Sequence, residues 1–259
     1  MIDMISEFPL FLFTTLGGLA AGTYVAVALF VGGANGEREA RRPWALPLAC
    51  LVLLGVGLLG VLGHLGRPER FLLALSNPSA MIAEEAYWSI AFGVLMLVDF
   101  ISCVRKGAGI RGVRILSAVA AIGLIGIMAW AYFTAYGNPA WATWQTLLLF
   151  VAGDLAMGAA LYALFDGGIV RTAAYAISAA VLDVLTAVSF AMVGAHFAAV
   201  GLEVVPFAVA AVLAALGMVA VLLAWKGKLP AKAGALIAFA LMLAGVAAAR
   251  YAFYAASIL

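Results

Sequence analysis

Long apolar runs separated by short polar segments repeat along the whole chain. About 20 residues of helix are enough to cross roughly 30 Å of hydrocarbon, and each run reaches about that length. The ten-residue alternation of apolar and polar positions that marks membrane β-barrels does not occur in the sequence. The pattern predicts one all-α transmembrane domain over residues 1–259, an eight-helix bundle with helices near 8–31, 44–63, 81–101, 112–136, 141–165, 171–194, 204–225 and 231–256.

The composition supports assignment to a membrane. Of the 259 residues, 67% are hydrophobic and only 10% are charged, whereas soluble domains contain about 25% charged residues. The polar connections between the apolar runs are too short to build a soluble core. We therefore expect an integral membrane protein without a soluble domain, whose first helix is retained rather than cleaved.

The basic residues lie mostly on one side of the predicted bundle. The odd-numbered loops, which follow helices one, three, five and seven, hold eleven of the fourteen Lys and Arg residues. Loops rich in Lys and Arg stay in the cytoplasm, so both termini and the even-numbered loops are predicted to be extracytoplasmic. The three basic residues outside the cytoplasmic loops are Arg67, Arg70 and Arg250.

One polar stretch, "GHLGRPERFLLALSNP" over residues 63–78, follows the second apolar run. Pro68 is suited to the first turn of a helix. Glu69 and Arg70 would then face water, while the apolar side chains of the same turns would lie in the membrane interface. The stretch predicts a short interfacial helix between helices two and three, which would form a lid at the outer surface.

Proton-exchanging side chains flank this stretch. His64 ends helix two, and Glu84 and Glu85 open helix three in "MIAEEAYWSIAF". Since the two helices are antiparallel neighbours, these side chains are predicted at similar depth on the same side. An imidazole and a carboxyl group at the edge of the hydrocarbon can take protons from a hydroquinone as its electrons leave. Alternatively, His64 caps its helix and the carboxylates meet water or Arg67.

Three further charged residues lie deeper in the predicted helices: Asp154 in helix five, Asp183 in helix six and Arg250 in helix eight. Each costs at least ~2.5 kcal/mol at mid-membrane, so each should face the bundle interior and find a partner. Arg250 is expected to pair with one of the two aspartates. Such a pair is compatible with a structural role, and equally with a proton path or a quinone-site role. Asp99 and Asp166 lie nearer the cytoplasmic ends and are expected to be solvated.

Small and aromatic residues predict how the helices pack and where they meet the membrane surface. Gly18 and Gly22 in "GGLAAG" have the spacing that lets two helix backbones approach closely. The aromatic residues at the outer boundary of helices four and five are typical of an interfacial belt: Tyr132, Tyr136, Trp141 and Trp144.

The potential metal ligands do not form a recognisable site. Cys50 and Cys103 lie near the cytoplasmic boundary and lack CxxC spacing. His64 and His196 both lie at helix ends, whereas haem ligands in membrane bundles normally lie within helices that face one another. We therefore expect this protein to hold neither a metal site nor a haem.

Several motifs resemble a known family. In order, "EFPLFLFTTLGGLAAGTYVAVAL", "HLGRPERFLLAL", the acidic opening of helix three, "AYGNPAWATW" and "ARYAFY" are similar to the dimethyl sulfoxide reductase membrane-anchor family. The "LGRPERF" and "NPSAM" segments also resemble the related anchors of polysulfide and nitrite reductases. The resemblance spans nearly the whole sequence.

The resemblance implies a haem-free anchor in anaerobic respiratory electron transfer. Such an anchor passes electrons from menaquinol to a four-cluster, ferredoxin-like iron–sulfur subunit, and through it to a molybdenum or tungsten bis-pterin catalytic subunit. It assigns the quinol chemistry to His64 and Glu85, with Glu84 as the second choice because this sequence has a doubled acid. The expected location is the cytoplasmic membrane of a bacterium or archaeon, with the partner subunits docked on the extracytoplasmic side.

Four neighbouring residues complete the predicted quinol site. Tyr87 and Trp88 are expected to contact the quinol headgroup. Arg67 and Arg70 either anchor the partner subunit or stabilise an anionic quinol intermediate, and equally they can bind lipid headgroups or form surface salt bridges.

Three other functions remain open at this point. The same site would serve an anchor that runs in reverse and reduces quinone. A proton or solute transporter would instead line a mid-membrane path with Asp154, Asp183 and Arg250. A purely structural anchor would have lost the quinol chemistry.

Overall fold

Eight long helices follow one another through the part of the protein that the computed structural model describes, which comprises residues 7–30, 42–64, 73 and 75–256, with the backbone alone for His64. Each helix is long and apolar enough to cross a membrane. These residues contain no strand, so the predicted all-α fold of a multi-pass membrane protein is confirmed. The helices are α1 (Phe8–Leu29), α2 (Ala45–His64), α3 (Met81–Lys106), α4 (Arg111–Phe133), α5 (Trp144–Phe165), α6 (Ala173–Ala199), α7 (Val205–Trp225) and α8 (Ala231–Ala255).

Some helix ends differ from the predicted ends. α3 continues to Lys106 rather than stopping near 101, because positive charges are favourable at the carbonyl end of a helix. It ends at Gly107, whose φ of 73° is the left-handed conformation typical of a glycine C-cap. α6 likewise runs to Ala199 instead of 194. Between α4 and α5, residues 134–143 form turns, whereas the hydrophobic pattern assigned 134–136 and 141–143 to the helices.

The helices form two rings of four that meet along α1 and α5. In the first ring, α1 packs against α2 and α4, while α3 packs against α2 and α4. In the second ring, α5 packs against α6 and α8, while α7 packs against α6 and α8. Contacts of α5 with α1 and α4, and of α8 with α1, join the rings. α1 is consequently buried along most of its length.

Glycines allow α1 and α5 to approach closely. A methyl group added at Gly22 would overlap the main-chain oxygen of Asp154. A methyl group added at Gly158 would overlap the main-chain carbon of Gly22. A residue larger than glycine would therefore push the two backbones apart, so this helix spacing requires glycine. The close approach predicted from Gly18 and Gly22 is confirmed, and the partner helix is α5.

The start of α1 and the end of α8 lie at the same end of the bundle, which we call the terminal face. The connection between α4 and α5 is tied to α8 at this face. Asn138 Nδ2 donates a hydrogen bond to the Ala256 oxygen at 3.0 Å, and Trp141 Nε1 donates to the Phe253 oxygen at 2.8 Å. That the terminal face is extracytoplasmic stays a prediction from the basic loops.

The predicted interfacial helix falls largely outside the described residues, which omit 65–72 and 74. The adjoining residues 75–80 form turns that lead into α3. Tyr87 on α3 donates a hydrogen bond from its hydroxyl group to the Leu75 oxygen at 2.5 Å, so the last part of this connection is held against α3.

Apolar side chains cover the outside of the bundle, as expected for a surface that faces lipid. They include residues on α3, α4 and α7. Examples are Val94, Leu97, Val98, Ile115, Val119, Ile122, Val209, Val212 and Leu216.

We expect Gly158→Ala to destabilise the folded protein by about 1–3 kcal/mol, the usual cost of overpacking a tight core. The added methyl group would force α1 and α5 apart. The measurement is reversible unfolding of the purified protein in detergent. Gly126→Ala is the matched control, because no atom lies within 4 Å of its added methyl group and alanine favours a helix more than glycine. Equal stability of the two variants would contradict the close helix contact.

Candidate functional site

Glu85 lies on the inner side of α3, close to the terminal face. The side chain is half-buried, as is that of Glu84. Glu85 differs from Glu84 in its position on the helix, because it begins a stripe of buried residues spaced three or four apart. That stripe continues through Ser89, Phe92, Met96 and Asp99. Glu84 instead aligns with the exposed Trp88.

Two buried tyrosine hydroxyl groups lie near Glu85. Tyr132 at the end of α4 and Tyr254 at the end of α8 share a side-chain hydrogen bond, and Glu85 lies within electrostatic range of both. The two rings meet edge to face with centroids 5.3 Å apart. Tyr254 Oη is also hydrogen-bonded to Thr14 Oγ1 of α1 at 3.0 Å. A hydroxyl group both donates and accepts, so this arrangement can pass protons.

The hydrophobic pattern of the sequence gave no indication of this series of hydroxyl groups. Tyr132 was predicted to belong to an interfacial belt, but only 7% of its surface is exposed and its ring contacts Phe150 and Phe253 within the core. An aromatic residue near a membrane boundary gives the same sequence signal in both situations. The spacing of Tyr254 four residues after Arg250 was the available hint, because it places both residues on one side of α8.

Tyr87 and Trp88 lie on the outer side of α3. Their side chains are 41% and 39% exposed, respectively. The Trp88 ring lies against α4 where Gly123 leaves room for it, since a methyl group added at Gly123 would overlap the ring. The two aromatic residues therefore lie beside Glu85 on the side of α3 that faces lipid.

The other residues of the predicted quinol site are described only in part. The backbone of His64 ends α2, which packs against α3, but the His64 side chain lies outside the described residues. Arg67 and Arg70 also lie outside them. The end of α2 and the start of α3 are both at the terminal face.

An ion pair between Arg250 and Asp154 lies deeper in the bundle. Arg250 Nη2 donates to Asp154 Oδ1 at 2.5 Å, and its Nη1 donates to the main-chain oxygen of Thr14. Both charged side chains are fully buried. The guanidinium group also lies over the Phe150 ring, 4.7 Å from its centroid. Gly18 makes room for the carboxylate, because a methyl group there would overlap Asp154 Oδ1.

The prediction that Arg250 pairs with one of the two aspartates is confirmed, with Asp154 as the partner, and Asp183 does not join this pair. Asp183 is 5% exposed and lies on the buried side of α6. Its electrostatic neighbour is Tyr175, whose hydroxyl group donates to the Ala159 oxygen at 2.9 Å. The positions of Asp154 and Asp183 along their predicted helices did not show which of them would pair with Arg250. The two residues lie on different helices, which face different parts of the bundle.

Asp99 is also placed differently from its prediction. Expected to be solvated, it is completely buried and forms an ion pair with Arg114, whose Nε lies 3.1 Å from Asp99 Oδ2. The Tyr24 hydroxyl group donates to the same oxygen at 3.1 Å. These two donors replace water around the carboxylate, so burial is tolerated. Asp166 is half-buried and accepts a hydrogen bond from Tyr162 at 3.4 Å.

The described segments contain no group of three or more His, Cys, Asp or Glu side chains arranged to hold a metal ion. Cys50 and Cys103 are buried and do not form a disulfide. The Glu85 carboxyl group and the neighbouring tyrosine hydroxyl groups near the terminal face are suited to proton exchange.

Comparison with known proteins identifies relatives of this sequence. A family model for the DMSO reductase anchor subunit (DmsC) matches residues 1–256. The sequence is 30% identical over 166 residues to the C subunit of the anaerobic dimethyl sulfoxide reductase of Escherichia coli K12. This alignment covers 58% of the present protein and 55% of the relative, so the match spans about half of the relative's length.

We expect Asp154→Asn to lower the free energy of unfolding by about 3–5 kcal/mol, because it leaves the Arg250 charge buried without a counter-charge. Unfolding of the purified protein in detergent measures the change. Asp166→Asn is the control, since this carboxylate is only half-buried. The double variant Asp154→Asn, Arg250→Gln should recover part of the loss. A double variant no more stable than Asp154→Asn alone would contradict the charge-pairing explanation.

Proposed function

Because this protein belongs to the family of DMSO reductase anchor subunits, we propose that it oxidises menaquinol at the terminal face. Its partners would be an iron–sulfur subunit with four clusters and a catalytic subunit with a molybdenum or tungsten bis-pterin. The iron–sulfur subunit would receive the electrons and pass them to the catalytic subunit. The redox centres would thus belong to the partners, and menaquinol would bind to the anchor as a substrate.

The observation that carries this proposal is the position of Glu85. A half-buried carboxyl group at the inner edge of α3, next to two buried tyrosine hydroxyl groups, is suited to accept protons from a ligand that arrives from the lipid. Carboxyl groups within a transmembrane bundle are costly and usually functional. Glu85 is therefore our choice over Glu84 for the functional acid.

The quinol reaction requires both proton acceptors and an electron acceptor. A hydroquinone that becomes a quinone loses two electrons and two protons. We propose that His64 accepts a hydrogen bond from one quinol hydroxyl group and takes its proton, while Glu85 receives the other. The two electrons pass to a cluster of the iron–sulfur subunit. The adjacency of α2 and α3 supports this pairing of His64 with Glu85.

The exposed aromatic residues support entry of the quinol from the lipid. Tyr87 and Trp88 present polarisable ring surfaces on the outer side of α3, next to Glu85. In our proposal they contact the quinol headgroup at the entrance. The segment that contains Arg67 and Arg70 would cover the headgroup, and these two basic residues would dock the iron–sulfur subunit.

The distribution of the basic residues supports one orientation of the bundle in the membrane. We propose that the terminal face is extracytoplasmic, in the cytoplasmic membrane of a bacterium or archaeon, and that the partner subunits dock there. Electrons and protons would then leave on the same side. The quinol step alone would carry no net charge across the membrane.

We expect His64→Ala and Glu85→Gln each to reduce quinol-dependent turnover of the complex by about 10²-fold or more, the usual contribution of a general base. Turnover with an artificial dye that donates directly to the partner subunits should persist. The measurement compares menaquinol and dye as donors in the same purified complex.

Glu84→Gln is the matched control for Glu85→Gln, because the two acids are adjacent and both half-buried. It should retain most of the quinol-dependent turnover. If Glu84→Gln and Glu85→Gln had equally mild effects, both acids would be hydrated side chains at the edge of the site, and neither would be a specific proton acceptor. Full quinol turnover in His64→Ala would remove that residue from the mechanism.

Purification of the protein in mild detergent should co-isolate an iron–sulfur subunit and a subunit that contains molybdenum or tungsten. Metal analysis and mass spectrometry of the purified complex check this expectation. A protein that purifies alone and transports protons or solutes in vesicles would instead support the transporter hypothesis.

A further inference from the structure

A small pocket opens between α1 and α8 at the terminal face. It is lined by Glu7, Phe8, Phe11, Tyr251, Tyr254 and Ala255. Apolar and aromatic side chains form most of its wall, and the Glu7 carboxyl group is the acidic group within it. The quinol mechanism proposed above makes no use of this carboxyl group.

The Glu7 carboxyl group is directed into the protein. Glu7 is half-buried, and its Oε2 atom is buried without a hydrogen-bond partner among the described residues. It lies within electrostatic range of Tyr132. A buried oxygen atom that lacks a donor is costly, so its presence in this pocket calls for an explanation.

The Tyr132–Tyr254 pair lies between the two acids. Glu85 interacts electrostatically with both hydroxyl groups, and Tyr254 also lines the Glu7 pocket. Thr14 Oγ1 holds Tyr254 Oη at 3.0 Å, which fixes the hydroxyl group in the wall of that pocket. The Glu85 carboxyl group, the two tyrosine hydroxyl groups and the Glu7 carboxyl group thus form one cluster between α3 and the start of α1.

We propose that Glu7, Tyr254 and Tyr132 form a relay through which protons accepted by Glu85 leave the quinol site toward the terminal face. The relay rests on the proposed quinol oxidation and adds its proton exit. In each transfer Glu85 gives one proton to Tyr132 as Tyr132 passes its own to Tyr254. The Tyr254 proton then reaches Glu7 through water in the pocket that both residues line. Glu7 then releases one proton to the surrounding water, so no charge accumulates on the tyrosines.

A relay is needed because Glu85 must be unprotonated before the next quinol arrives. The exposed side of α3 faces lipid, which does not accept protons, and the inner stripe below Glu85 is apolar at Phe92 and Met96. The hydroxyl pair leads from Glu85 toward a carboxyl group that opens onto the terminal face. In this proposal Glu7 and Tyr254 carry away protons that Glu85 has accepted, and they do not contact the quinol themselves.

The test is steady-state menaquinol oxidation by the purified complex carrying Glu7→Gln or Tyr254→Phe. We expect kcat to fall about tenfold in each variant, the lower range for loss of proton transfer. The KM for menaquinol should stay within about twofold, because quinol binding is unaffected. The solvent deuterium isotope effect on kcat should increase, and Glu7→Asp should restore most of the turnover. A merely structural role would not produce this combination.

Glu203→Gln and Tyr136→Phe are the matched controls, because both residues are exposed at the same end of the bundle. Both should retain wild-type turnover. Turnover with the artificial dye shows that the partner subunits are intact in every variant. Should Tyr254→Phe impair folding, Glu7→Gln alone decides the question, since Glu7 lies at the bundle surface.

Two outcomes would overturn the relay. One is unchanged kcat in Glu7→Gln, and the other is a raised KM with unchanged kcat, which would make Glu7 a binding residue. If Glu85→Gln abolishes quinol turnover while Glu7→Gln does not alter it, the relay fails and the quinol site stands. If His64→Ala and Glu85→Gln both leave turnover intact, the quinol proposal itself fails.

Discussion

The ion pair between Arg250 and Asp154 is the interaction on which the bundle depends. A charged group in hydrocarbon requires a partner, and here the partners come from both rings of helices. Asp154 and Arg250 belong to the second ring, while the main-chain oxygen of Thr14 and the space beside Gly18 belong to the first. The first ring thus supplies a further acceptor for the guanidinium group and the space for the carboxylate, so the buried pair contacts both rings.

The same interaction organises the candidate site near the membrane surface. Thr14 accepts a hydrogen bond from Arg250 through its main-chain oxygen, and its hydroxyl group binds Tyr254. The position of Tyr254 is therefore fixed by the ion pair one helical turn below it. Tyr254 is in turn hydrogen-bonded to Tyr132, and Glu85 lies within electrostatic range of both hydroxyl groups. Functional groups held by a rigid supporting layer in this way keep the geometry that proton transfer requires.

More of the fold than of the candidate functional site could be predicted from the sequence. Eight spanning helices followed from eight apolar runs, because helix formation in lipid depends on length and hydrophobicity more than on particular residues. Hydropathy did not reveal which faces meet. It could not distinguish Asp154 from Asp183 as the partner of Arg250, and it gave no sign that Arg114 would fold back onto Asp99. Tyr132 was misassigned for the same reason, since burial at a helix end arises from packing between distant segments.

The location of Arg250 in the last helix has a consequence for biogenesis. Asp154 enters the membrane with the fifth helix, whereas the cation that neutralises it is synthesised almost 100 residues later, at a separation of 96 positions. Until the last helix is inserted, the nascent protein retains an uncompensated acidic group between α1 and α5. Closure of the interior therefore has to wait for the eighth helix, and a polypeptide truncated before that helix would keep Asp154 without its counter-charge.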